Sequence, residues 1–251
     1  MSVLDGLLAT LPEGELRQVV VGAFWTAVVA DVDGKAQCGL ASTLHMDDHH
    51  HTGRPAIREA GKLGELSAQR LAQLALSSSV MEAGIGIAAI NALLPRRESE
   101  WTDLNAEEFI ARHGAGKRVV VVGHFPFVPR LRERVGNLVV LEERPRGDDL
   151  PAEAAPDVIP QADILAITGT TLINSTFEDL MALRGADALV LVLGPSTPLS
   201  TILFGYGVQV LSGALVQDID AVLQAVSQGA NFQQLHRQGV RLVTLRKTGP
   251  L

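Results

Sequence analysis

The chain has 251 residues and a formal charge of −7, with 47% apolar and 20% charged residues. That composition excludes a disordered chain, and the length suits one large domain or two modest ones. The acidic balance and only 4% aromatic residues leave no basic field for a phosphate backbone and few stacking platforms, so nucleic acid is not an expected partner. A single cysteine, Cys38, forbids an intramolecular disulfide and suits a reducing compartment.

The N-terminus reads MSVLDGLLAT, with no basic n-region, so no targeting signal is expected. Its run Val3 to Leu11 is amphipathic. Val20 to Ala30 reads as a strand, Asp33-Gly34 as a two-residue hairpin turn, and Gln37 to Thr43 as the returning strand. Leu44 to Gly61 is polar, holds four of the seven histidines and reads as a loop. Leu66, Leu71, Leu74 and Ala75 follow at helical spacing. A second helix runs from Val80 to Leu94 and stops at Pro95. The apolar stretch from Ser79 to Leu94 is shorter than a membrane span of about 20 residues and contains Glu82 and Asn91. A cytoplasmic protein with no membrane partner is therefore expected.

Pro95 to Leu104 is polar and charged and marks the boundary between an N-terminal unit, 1–97, and a C-terminal unit, 98–251. Asn105 and Glu108 then form a capping-box pattern for a helix to His113, closed by Gly114 and Gly116. Beyond Lys117 come six apolar runs: Val119–Val122, Leu138–Leu141, Ile164–Ile167, Ala188–Leu193, Val208–Leu211 and Leu242–Leu245. They alternate with helical segments at Ser175–Leu183 and Asp218–Gln228, the pattern of a parallel sheet covered on both faces.

Four loops would lie on the carboxyl edge of that sheet, where open α/β sheets bind ligands. They are GHFPF (123–127), TGTTLIN (168–174), GPSTP (194–198) and SGALV (212–216). His124 is the most chemical residue among them, able to donate, accept or bind a metal. Asn174 and Glu178 fall near a helix start, where Glu178 serves either an anion site or a capping box with Ser175. Glu142 and Glu143 follow the Leu138 run where nucleotide folds place a ribose-binding acid, but the glycines of that fingerprint are missing after Gly123. GIGIAA at Gly84–Ala89 has the fingerprint spacing without a preceding strand and reads as close helix packing. HMDDHHH (His45–His51) has metal-ligand composition, but adjacent histidines point different ways, and a solvated loop is the simpler reading. Glu82, a carboxylate within an apolar helix, must be paired, capped or functional. Cys38, on a strand, is expected buried. No nucleophile elbow, P-loop or zincin motif occurs.

Together MEAGIGIAAINALL, VVVVGHFPF, LEERP, TGTTLIN-x-T and LVLGPSTPLSTILFGYGVQVLSG resemble the heavy-metal-chelation family of prokaryotic proteins of unknown function, over about residues 80 to 245. The resemblance implies a small enolase N-terminal-like α+β domain followed by a Rossmann-like α/β domain, with a ligand cleft between them. It implies His124, Phe125, Pro126, Thr170, Asn174, Glu178, Ser196, Thr197 and Gly213 around the cleft, approached by Glu82 and Asn91. The histidine-rich run is not part of the family pattern. The resulting expectation is a binder of a transition-metal ion or small metal–metabolite complex. His124 and Glu82 would be its metal ligands, Thr170, Ser196 and Thr197 would hold the organic part, and Asn174 would orient it. An enzyme acting on a nucleotide-like or other small anionic metabolite is the alternative, with Glu82 or Glu143 as base and His124 as acid. A structural module whose loops do not converge is the third. A homodimer is expected on base rates alone.

Overall fold

The computed structural model describes residues 1–45 and 55–248, so His49, His50 and His51 lie outside the described residues. Ser2 caps helix α1 (Val3–Leu8), and Asp5 completes a capping box. Strands β1 (Glu15–Val21), β2 (Trp25–Val32) and β3 (Lys35–Ser42) form an antiparallel sheet in that order. The single strand expected over Val20–Ala30 is two strands, broken by a turn in which the Gly22 N–H donates to the Trp25 carbonyl at 2.9 Å. The break falls where Gly22 abuts other backbone: a Cβ there would stand 2.3 Å from the Val226 carbonyl oxygen. Asp33 and Gly34, at φ 51° and 74°, make the expected hairpin turn.

A short helix α2 (Ala68–Ala72) leads into α3 (Val80–Leu93), capped by Ser79 and ended before Pro95. α3 is buried on nearly every side, because it carries no polar stripe to turn toward water. It lies against β2 and β3.

The second sheet holds β4 (Trp101–Thr102), β5 (Arg118–Val122), β6 (Asn137–Glu142), β7 (Leu150–Pro151), β8 (Ile164–Thr168), β9 (Leu189–Leu193), β10 (Val210–Val216) and β11 (Val240–Arg246). Their order is β4-β11-β10-β9-β8-β5-β6-β7. All six apolar runs lie within or overlap these strands, and β7 through β10 are parallel. The last run departs from the all-parallel expectation, since β11 is antiparallel to β10. The reason is local. The segment after β10, carrying α8 (Ile219–Ser227) and α9 (Phe232–Arg237), returns to its own starting point, where the Gln217 N–H meets the Gly239 carbonyl at 2.8 Å. A chain that returns to the same end of the sheet runs back antiparallel.

Helices α4 (Ala106–His113), α5 (Val128–Arg132), α6 (Ala155–Val158) and α7 (Phe177–Ala182) complete the chain. Alternation along the central strands sends side chains to two cores. Val119, Val121, Ile164 and Ala166 pack with Phe109, Ile110 and Leu131. Val120, Leu165, Ile167 and Val192 join α3 and the small sheet in a larger cluster. The fold is thus α/β, a Rossmann-like, mostly parallel sheet preceded by a small α+β unit. Among the described residues no helix is long and apolar enough to cross a membrane.

Candidate functional site

β5 is flanked by β6 on one side and β8 on the other. Connections leaving a sheet in opposite directions open a crevice beyond the strand ends. Gly123 (φ 97°) turns the chain out of β5 into His124-Phe125-Pro126-Phe127, and Gly194 (φ 103°) does the same after β9. The loops after β5, β8 and β9 converge as expected. The fourth expected loop is no loop, because Ser212–Val216 continues β10, paired with β11 from end to end. Gly213 belongs there for close approach, since a Cβ would stand 2.7 Å from the Thr197 carbonyl oxygen.

Two adjoining lobes occupy the crevice, one of about 530 Å³ and one of about 680 Å³, sharing His124, Phe125, Thr168 and Thr170. His124 Nδ1 lies 2.7 Å from Asp149 Oδ2, and the Asp149 side chain is only 2% exposed. Asp149 Oδ2 also accepts the Arg146 N–H at 3.2 Å. With Nδ1–H donated to a carboxylate, the neutral imidazole keeps its lone pair on Nε2. Nε2 has no hydrogen-bond partner among the described residues. The His124 N–H donates to Glu142 Oε2 at 2.7 Å, and the Glu143 N–H to Glu142 Oε1 at 3.0 Å. Asn174 Nδ2 donates to Glu143 Oε1 at 2.8 Å and is itself oriented by the Thr176 hydroxyl. A continuous chain of hydrogen bonds therefore crosses the ends of β5, β6 and β8.

The smaller lobe is lined by Glu142, Glu143, Glu153 and Asp179, with no lysine or arginine among its described lining residues. The larger lobe is lined by Trp25 and Ser42 of the small sheet together with the three loops and α9. Its charges are paired: Arg130 with Glu107 at 2.6 Å, and Arg241 with Asp103.

Of the residues singled out in the sequence, His124, Phe125 and Thr170 line both lobes, Asn174 the smaller, and Pro126 and Ser196 the larger. Ser196 also ties the two sheets together, its Oγ accepting the Ser42 N–H at 2.9 Å. The remaining five line neither lobe. Asn91 donates to the Leu40 carbonyl at 2.9 Å and shares a small void of about 30 Å³ with Thr197 and Cys38. Gly213 is in β10. Glu178 makes no capping box with Ser175; it accepts the Val3 N–H at 3.0 Å, satisfying a free donor at the start of α1. Glu82 is 2% exposed and fully engaged: Arg58 Nη2 at 2.8 Å, the Arg58 N–H at 2.8 Å and the Ser77 hydroxyl at 2.6 Å. The Arg58 guanidinium, helped by Ser77 and opposed by burial, holds its carboxyl down at about 2. Burial pushes the Cys38 thiol up to about 12, so it stays protonated. His45 Nε2 is 3.1 Å from the Ala23 carbonyl oxygen.

Among the described residues no three His, Cys, Asp or Glu side chains gather to hold a metal. Asp149 escapes a sequence reading because it lies 25 residues beyond His124, on the far side of a neighbouring strand. Trp25 and Phe232 escape it because nothing local marks two such distant rings as neighbours of one cavity.

These features define a two-sheet α/β protein with a ligand-sized crevice at the switch point of a Rossmann-like sheet. The chain belongs to the DUF364 family, described as "Putative heavy-metal chelation", whose model matches residues 105–244. A second model, DUF4213, with the same description, matches residues 4–94. The chain is similar to a crystal structure of a DUF364 protein of unknown function from Desulfitobacterium hafniense, with a TM-score of 0.83, 26% identity and 98% of each chain covered. It shares its fold with a DUF364 protein of unknown function from Pyrococcus horikoshii, with a TM-score of 0.82, 20% identity and 98% of each chain covered. An uncharacterized protein of Methanocaldococcus jannaschii is 26% identical over 206 residues, 79% of this chain and 78% of that one.

Proposed function

We propose that the crevice binds a small metal complex, with His124 Nε2 taking one coordination position of a metal that arrives with its own organic ligand. The observation that carries this reading is the His124–Asp149 pair: an imidazole pinned at Nδ1 by a buried carboxylate, its Nε2 without a hydrogen-bond partner among the described residues and beside a cavity. Metal-bound histidines are held this way, because the second nitrogen's hydrogen bond fixes the ring and raises its basicity. A metal held at one imidazole keeps its other coordination positions for an organic ligand that it brings. The four acidic residues that line this lobe with His124, with no lysine or arginine among its described lining residues, favour a cationic cargo over an anionic metabolite. The family description agrees with a metal-handling role. Glu82 has no part in this site, since its oxygens are taken by Arg58 and Ser77.

The test is metal retention. Tag-free protein equilibrated with copper(II) glycinate, desalted and assayed by mass spectrometry is expected to hold near-stoichiometric copper. His124→Ala loses it, and Asp149→Asn weakens binding by roughly 10- to 100-fold, the usual scale for an outer-shell partner. Equal copper in wild type and His124→Ala overturns the reading. A His–Asp pair also performs acid–base chemistry; an enzyme would keep its ligand and lose turnover in His124→Ala.

A further inference from the structure

The chain is poor in aromatic residues, yet four of its ten, Trp25, Phe125, Phe127 and Phe232, line the larger lobe. They form two pairs from distant parts of the sequence. Phe125 and Phe127 stack with centroids 5.1 Å apart and planes 9° apart. Trp25 and Phe232 meet at 5.8 Å, tilted by 53°. Each pair packs on one side against a core cluster and on the other lines a cavity of about 680 Å³. Ligand pockets of that size with aromatic linings hold flat organic molecules, and π faces prefer offset or edge-on partners at such centroid distances. The two arginines lining the lobe, Arg130 and Arg241, are each paired with a carboxylate, so the charges of its described lining lysines, arginines, aspartates and glutamates offset one another.

Resting on the metal-complex reading, we infer that the organic part of the cargo is a flat aromatic chelator seated in this lobe. His124 and Phe125 are consecutive and line both lobes. One short loop thus meets the metal with one side chain and the ring system with the next. Specificity then resides in Trp25, Phe127 and Phe232, and an aliphatic chelate of the same metal forgoes their contacts.

Trp25 reports on the lobe directly. In a Trp101→Phe protein it is the one remaining tryptophan. Copper(II)–1,10-phenanthroline (1:1) is titrated against copper(II) glycinate while its fluorescence is followed. The aromatic complex is expected to quench Trp25 and bind about tenfold or more tightly than the glycinate, the scale of one or two ring contacts with their buried area. Phe127→Ala and Phe232→Ala remove that advantage, the phenanthroline complex weakening more than the glycinate; Phe127→Leu, which keeps volume, removes part of it. Circular dichroism and melting midpoints verify that each variant folds. Equal affinity for the two chelates, or an advantage that survives both alanine variants, overturns the inference, while dependence on His124 in both titrations keeps the metal reading. Metal-free phenanthroline binding as tightly as its complex, indifferent to His124→Ala, upholds the aromatic lobe and overturns the metal reading instead.

Discussion

Two buried carboxylates, Glu82 and Asp149, show how one residue type is put to different uses by its partner. Asp149 faces an imidazole whose second nitrogen has no hydrogen-bond partner among the described residues, so its hydrogen bond orients a group toward the crevice. Glu82 faces a guanidinium that has nothing further to do but point to solvent, so the pair holds residues 55–58 against the start of α3. Glu82's folded pKa of about 2 lies below the ordinary glutamate value. A depressed folded pKa means stability that is full above the unfolded value and lost as pH falls through the folded one. The window is pH 4.5 down to about 2. Glu82→Gln is therefore expected to melt lower than wild type at pH 7 and to lose less between pH 4.5 and 2, measured by thermal unfolding across that range. Arg58→Ala removes the partner of a buried carboxylate and is expected to lower the melting midpoint at pH 7. A wild type and Glu82→Gln with parallel pH profiles would remove Glu82 from this account. That Glu82 needed a partner was legible, since a charge in an apolar helix cannot stand alone. That the partner is Arg58, 24 residues upstream in a polar stretch, was not.

α3 owes its position to glycine more than to its apolar residues. A Cβ at position 86 would stand 1.9 Å from the Ala75 nitrogen, and one at Gly39 of β3 would stand 2.1 Å from the Ala88 carbonyl oxygen. The helix thus lies backbone to backbone against both neighbours, and the fingerprint-like GIGIAA serves packing within its interior. On an exposed helix Gly→Ala gains about 1 kcal/mol from propensity. Gly86→Ala is expected to reverse that sign and cost about 3 kcal/mol, because backbone cannot yield as a flexible side chain does. Gly84→Ala, whose nearest obstacles are the Ser42 carbonyl at 3.1 Å and Ile173 at 3.9 Å, costs far less. Denaturant midpoints of the two variants decide it; equal losses would refute the close-packing explanation. The element's span was readable from its apolar run and Pro95, whereas the break of β1 from β2 was not, because Gly22-Ala23-Phe24 contains no polar turn residue.

Across the molecule, continuous apolar runs revealed six of the eight strands of the large sheet, since strands buried on both faces need no polar alternation, while the two-residue edge strands β4 and β7 gave no run to read. An apolar run has no direction, however, so the antiparallel course of β11 had to come from the structure. The crevice was legible as strand-end loops, Phe125 and Phe127 with them; the Trp25–Phe232 wall was not, because it joins residues 25 and 232 through tertiary packing alone. The same packing bears on cooperativity. The largest core cluster takes Val28, Ala30 and Ala41 from the small sheet, most of α3, and Val120, Leu165, Ile167 and Val192 from the large one. Units that share one core cannot unfold independently without exposing it. Thermal unfolding is therefore expected to be a single transition by calorimetry, with the van't Hoff to calorimetric enthalpy ratio about one. A fragment of residues 1–97 is expected to lack the native strand signal in circular dichroism, because the outward side of its α3 loses the parallel sheet that covers it. Two resolved transitions, one matching a folded 1–97 fragment, would show instead that each sheet carries a sufficient core of its own and that the α3 contacts are an interface between independent units.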